Sequence, residues 1–182
     1  MAPLSTAEQQ QIEKWTDDGL RVLLLAEFDD NNTPLKSLKP GSGRPLAVVL
    51  LRNLLRDGVV DTVAFLQRQG VNIRVISGDN PRTVQYVARA AGINNPDTAI
   101  TGAELAELDE PAFATAADQH TIFARVLPEQ KERLIAHFSQ QKHQFTGMVG
   151  DGVNDALALK KADLGVAMYA GAPASRRVAD II

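Results

Sequence analysis

The chain has 182 residues, of which 45% are hydrophobic, with a formal net charge of −3 and no cysteine. That length supports one good core with a possible appendage, and the charge, with no block of like sign, excludes an electrostatic footprint for nucleic acid or an anionic membrane surface. The missing cysteines exclude a disulfide framework and thiolate metal sites and fit a reducing compartment.

The longest apolar stretches, 22–26 and 46–51, fall well short of the roughly 20 residues that span a bilayer, so the sequence reads as soluble. The N-terminus has no basic region followed by an apolar core and is not a secretory signal. Ser5 and Glu8 have capping-box spacing and predict a polar helix to about Asp18, followed by a strand over 21–28. Residues 29–45 are rich in Asp, Asn, Pro, Gly and Ser and read as a loop or hinge. A boundary is expected there, separating a small αβ segment, 1–40, from a main domain, 41–182.

From Pro45 the pattern predicts alternating elements: strand 46–51, helix 60–69, strand 71–76, helix 81–91, strand 121–124, helix 128–141, strand 145–149, a helix from Asn154, and strand 164–168. Such alternation predicts an α/β fold, a Rossmann-like parallel sheet with helices on both faces. Pro81 and Pro128 each sit where a first helical residue belongs. Ligand sites of open α/β sheets lie outside the carboxyl ends of the strands, and Ser77, Arg125 and Asp151 all fall at such ends.

Three short motifs carry chemistry. Gly150-Asp151-Gly152-Val153-Asn154-Asp155 follows an apolar run, and its glycines permit close approaches while Asp151 and Asp155 can hold Mg²⁺ or orient its waters. Asn154 and Asp155 can brace Asp151 or cap the next helix. Ser77-Gly78-Asp79-Asn80 offers a hydroxyl and exposed amides at a helix start, suited to a phosphoryl oxygen, although Asn80 as an N-cap and Ser77 as a turn residue explain the same tetrapeptide. Ala124-Arg125-Val126-Leu127-Pro128-Glu129-Gln130-Lys131 puts Lys131 one turn into a helix, either as a charge that neutralises a phosphoryl group or as a solvated helix lysine. His120, His137 and His143 share no ligand spacing and read as surface residues.

With these motifs in order, the sequence from about residue 19 to the last resembles the cytoplasmic phosphorylation region of cation-transporting P-type (E1-E2) ATPases, members of the haloacid dehalogenase superfamily. The resemblance implies that Ser77 and Gly78 bind the phosphoryl group and Lys131 neutralises it. It implies that Asp151 coordinates Mg²⁺, that Asn154 and Asp155 order the site, and that Asp79 and Arg125 face the nucleotide. It further implies ATP as the ligand of the full-length protein, and the remainder of a pump, membrane helices included, as partner. Residues 19–23 resemble the tail of a nucleotide-binding domain, and 53–56 fall where the hinge usually reads Asp-Pro-Pro-Arg, of which Arg56 survives.

One departure is an absence: the family's phosphorylated aspartate lies in a DKTGT sequence, and none occurs in these 182 residues. The chain therefore reads as a soluble portion of a pump on the cytoplasmic face of its membrane, carrying the Mg²⁺ and phosphate half of the site. In the superfamily the nucleophile's strand lies between the strand ending at Ser77 and the one ending at Asp151, so its loss predicts two half-sheets with unpaired inner edges. The apolar strand 22–28, followed by Asp29-Asp30-Asn31-Asn32-Thr33, is a candidate to fill that slot. It would make the chain a free-standing Mg²⁺-dependent phosphatase with Asp29 as nucleophile. A third reading is a non-catalytic binding module. Pairing of half-sheets between chains makes an oligomer conceivable.

Overall fold

Ser5 opens the first helix, α1 (Thr6–Asp17), through the reciprocal cap that its spacing to Glu8 predicts. The Glu8 N–H donates to Ser5 Oγ at 3.3 Å and the Ser5 N–H donates to Glu8 Oε2 at 2.7 Å. The computed structural model describes residues 4–28 and 43–182. These fall into two compact units, Met1–Val71 with Arg82–Ile93, and Asn72–Pro81 with Asn94–Ile182.

In the first unit α1 ends at Gly19, whose φ of +76° suits glycine and whose missing side chain leaves room for the Tyr86 ring, 2.2 Å from where a Cβ would sit. Strand β1 (Leu20–Glu27) then alternates half-buried and exposed residues. It pairs antiparallel with β2 (Arg44–Arg52), from Leu20 opposite Arg52 to Glu27 opposite Arg44, with a register shift at Leu25/Ala26. Two helices complete the unit, α2 (Val59–Arg68) and α3 (Pro81–Ala90) from Arg82 onward, the latter burying Thr83, Val84 and Ala88.

This hairpin corrects two expectations. The 46–51 run is not the first strand of the parallel sheet; it pairs with β1. Likewise 22–28 does not fill a slot in that sheet, since among the described residues the strand partner of β1 is β2. An apolar run declares that it will be buried or paired, not with which neighbour or in which direction. Asp29 and the loop to Thr33 lie outside the described residues.

The second unit contains two parallel sheets. Strands β3 (Val75–Ile76), β4 (Ala99–Thr101) and β5 (Ile122–Ala124) stand in the order β3-β5-β4. The other sheet pairs β6 (Gly147–Gly150) with β7 (Leu164–Ala167). Helices α4 (Gly102–Ala106) and α5 (Glu110–Gln119) follow β4, α6 (Pro128–Ala136) follows β5, and α7 (Ala156–Lys161) lies between β6 and β7. Helix α8 (Pro173–Val178) follows β7, and Ile181 then bridges Val166 in parallel. The fold is α/β, with no closed barrel among the described residues.

One core gathers Ile100, Leu105, Phe113, Phe123 and Leu134, the other Ile135, Met148, Ala158 and Leu159, and Ile76 of β3 packs against both. Yet among the described residues no ladder joins β3 to β6. The two half-sheets expected from the sequence are present. Beside β6, Phe145 is 80% exposed and on it Val149 is 63% exposed, as fits a strand with one uncovered side.

His137 corrects another expectation. The helix predicted over 128–141 is α6 continued by a π-helical turn, His137–Gln141, which turns this histidine inward. It is 3% exposed, with Nε2 3.0 Å from Asp118 Oδ1 and Nδ1 2.9 Å from Gln141 Oε1. Its ring lies edge-on to Phe113 and Phe138. Among the described residues no helix is long and apolar enough to cross a membrane.

Candidate functional site

The Ser77–Asp79 loop and the turn after β5 are stitched together. Ser77 N–H donates to Phe123 O at 2.8 Å, Val126 N–H to Ser77 O at 3.1 Å, and Arg125 N–H to Asp79 O at 3.2 Å. Arg125 has a φ of +51°, an uncommon conformation for a residue with a side chain, and it is exposed. Ser77 Oγ accepts from the Asp79 N–H at 3.1 Å, which is the turn role the tetrapeptide allows. Asp79 is exposed, and no atom lies within 4 Å of a Cβ built on Gly78, so that face of the loop is open.

From Val126 the chain passes into α6, where Leu127 N–H donates to Gln130 Oε1 at 2.9 Å and Pro128 takes the first helical position. Lys131 in that first turn is not a solvated lysine. It is 8% exposed, and its Nζ lies 2.7 Å from Asp155 Oδ1. The second carboxylate oxygen, Asp155 Oδ2, accepts the Asp151 N–H at 3.2 Å and the Gly152 N–H at 3.0 Å. Burial alone would raise the Asp155 carboxyl. The Lys131 hydrogen bond and charge, with the two amides, outweigh burial and hold it below its ordinary range.

Asp155 therefore acts here as the brace of the 150–155 loop, not as a cap of α7, for which it makes no side-chain bond. Gly150 is needed for this: a Cβ there would lie 2.7 Å from Asp155 Cβ. Gly152 is under less constraint, with a φ of −93° and a hypothetical Cβ 3.4 Å from Asp155 Oδ2. Asp151 and Asn154 are exposed, and the Asp151 carboxylate makes no hydrogen bond or ion pair among the described residues.

That carboxylate is free to take a cation. Among the described residues no three His, Cys, Asp or Glu side chains gather as a full ligand cage. One hard oxygen ligand fits Mg²⁺, which keeps several waters and is held through one or two carboxylates together with phosphate oxygens. Arg56 belongs to the other compact unit and is exposed.

Sequence reasoning missed the segment that closes this loop from its far side, Gly171 to Ser175. Ala172 N–H donates to Asp151 O at 2.7 Å, and Ser175, with 0% exposure, donates its hydroxyl to Gly152 O. Pro173 at the first turn of α8 carries the same signal that marked Pro81 and Pro128.

A family model for haloacid dehalogenase-like hydrolases matches residues 4–163. The chain belongs to the haloacid dehalogenase-like hydrolases. Within this family it is similar over nearly its whole length to cation-transporting ATPases. It is 40% identical over 180 residues to the calcium-transporting ATPase CtpE of Mycobacterium tuberculosis and 33% identical over 179 residues to the probable cation-transporting ATPase exp7 of Streptococcus pneumoniae. It is 34% identical over 177 residues to calcium-transporting ATPase 1 of Lactococcus lactis. These alignments cover 99%, 98% and 96% of this haloacid dehalogenase-like chain but 22%, 22% and 20% of the relatives, so the chain spans about a fifth of their length.

Proposed function

We propose that this chain supplies the Mg²⁺- and phosphate-binding half of the ATP-hydrolysing site of a cation-transporting P-type ATPase, on the cytoplasmic face of the membrane. The observation that carries this reading is the buried Lys131–Asp155 pair beneath an exposed, uncommitted Asp151. Asp155 and Lys131 fix the loop, and Asp151 offers its carboxylate to the metal. An ammonium has three donors, so pairing with Asp155 leaves Lys131 two for a phosphoryl oxygen. Ser77 and the open face at Gly78 offer a hydroxyl and a backbone approach to the same group, and the exposed Arg125 and Asp79 are the side chains assigned to the nucleotide.

Bound Mg²⁺ would supply neutralisation of phosphoryl charge. The chain's own residues orient the phosphate; no DKTGT sequence is present to accept it covalently. Binding without turnover is therefore the expected behaviour of the isolated chain. Calorimetric titration with Mg²⁺ and a phosphate analogue tests this, alongside release of phosphate from an aryl phosphate. Binding lost in Asp151→Asn, with no phosphate release, supports the reading. Mg²⁺-dependent hydrolysis by the wild type, or Mg²⁺ binding indifferent to Asp151→Asn, overturns it.

A further inference from the structure

A serine with 0% exposure must place its hydroxyl on some acceptor, and within a helix the usual choice is the carbonyl one turn back. Ser175 does not use it. Its Oγ donates to the carbonyl of Gly152, 23 residues earlier, in the loop that presents Asp151. Three further contacts join the same two segments. Ala172 N–H donates to Asp151 O at 2.7 Å, Met168 N–H donates to Gly150 O at 3.1 Å, and a Cβ on Gly171 would lie 2.8 Å from Asp151 O and 3.0 Å from Asp151 Cα.

Together with Asp155, these contacts account for every backbone polar group of Asp151 and Gly152. Both amides donate to Asp155 Oδ2, the Asp151 carbonyl accepts from Ala172, and the Gly152 carbonyl accepts from the Asp155 N–H at 3.0 Å and from Ser175. The backbone is held from two sides, and the Asp151 carboxylate is the polar group left over.

We propose that Ser175 is a positioning residue for Asp151, fixing the loop backbone so that the carboxylate is already oriented when Mg²⁺ binds. The proposal rests on the reading of Asp151 as the Mg²⁺ residue. Groups that orient a metal ligand without touching the metal commonly govern affinity by about tenfold or more. Ser175→Ala leaves Gly152 O its second donor, so the loop loosens without the unit losing its core.

The test combines two readouts on the full chain, with Ile100→Val in the first core as a variant of reduced stability elsewhere. Ser175→Ala is expected to speed amide hydrogen exchange at Asp151 and Gly152 about tenfold relative to Ile100→Val, and to weaken Mg²⁺ binding by about the same factor. In an Asp151→Asn background it should still speed exchange at the two amides, with no Mg²⁺ binding left to weaken. Ser175→Cys, of similar size and a weaker donor, gives the same comparison should the alanine variant not fold. A lowered melting temperature with exchange and Mg²⁺ affinity no different from Ile100→Val overturns the proposal and leaves Ser175 a structural serine. If the wild type binds no Mg²⁺, the functional reading fails, and exchange at the two amides alone decides the role of Ser175.

Discussion

Lys131 Nζ and Asp155 Oδ1 lie 2.7 Å apart, with the two side chains only 11% and 10% exposed. The pair ties the first turn of α6 to the 3-10 turn after β6 and aligns both with the loop that carries Asp151. Removing one partner strands the other charge out of water, whereas removing both does not. Asp155→Asn should therefore cost about 3 kcal/mol, and Lys131→Met combined with Asp155→Leu should cost less than the sum of the single changes. Urea denaturation of Asp155→Asn, of Lys131→Met and Asp155→Leu singly, and of the double measures this.

The same carboxylate sets a pH dependence. Asp155 lies below its ordinary value of 3.8 in the folded chain, so the folded state favours its ionised form. Its contribution to stability is complete above the ordinary value and is lost as the pH falls through the lowered one. Asp118 shifts in the same direction, held down by the Lys142 hydrogen bond and then by His137. Denaturation midpoints followed from pH 7 to pH 2 should fall on the acid side in the wild type, and the fall should be shallower in Asp155→Asn.

Two glycines of the site separate close packing from open space. Gly150→Ala drives a methyl against Asp155 Cβ, 2.7 Å away, and should destabilise by about 1–3 kcal/mol while disturbing the brace. Gly78→Ala meets no atom within 4 Å and should change stability by no more than about 0.5 kcal/mol. Its effect should appear in phosphate-analogue affinity. Melting curves paired with analogue titration distinguish the two.

Gly19 offers a parallel test in the other unit. Alanine there must adopt a φ of +76° and displace the Tyr86 ring, which lies 2.2 Å from the new atom. Both effects oppose folding, and a loss of about 2 kcal/mol is expected from strain and overpacking together. Measured against Tyr86→Ala alone, adding Gly19→Ala should cost less than it does in the wild type, since only the strain then remains.

The site motifs were legible because each is local: strand end, turn residue and helix-initiating proline sit within a few residues of one another. Ser77, Arg125 and Asp151 accordingly follow strand ends as expected, and Lys131 lies in the first turn of α6. What Lys131 bonds to was not legible, because Asp155 lies 24 residues away and either a solvated or a paired lysine fits the same helix pattern. The stretch holding β4, α4 and α5 is less legible, although its caps are present. Thr101 and Glu104 form a capping box, and Asp109 accepts from the Ala112 N–H at 2.9 Å. Strand β4 and helix α4 are short, and a three-residue strand gives no periodicity to read. The direction of β2 and the inward turn of His137 depend on tertiary partners and on a π-helical turn that spacing at 3.6 residues does not describe.

Among the described residues the β3 and β6 edges of the two parallel half-sheets have no strand partner, which bears on how the chain reaches this structure. An edge strand accepts any extended backbone that offers matching donors and acceptors, and this unit presents β3 and β6 with such edges while Phe145 and Val149 stay in water. Refolding is then a race between completion of the cores within one molecule and strand capture between molecules. Dilution favours the first, so the yield of monomer is governed by protein concentration as much as by the stability of either core.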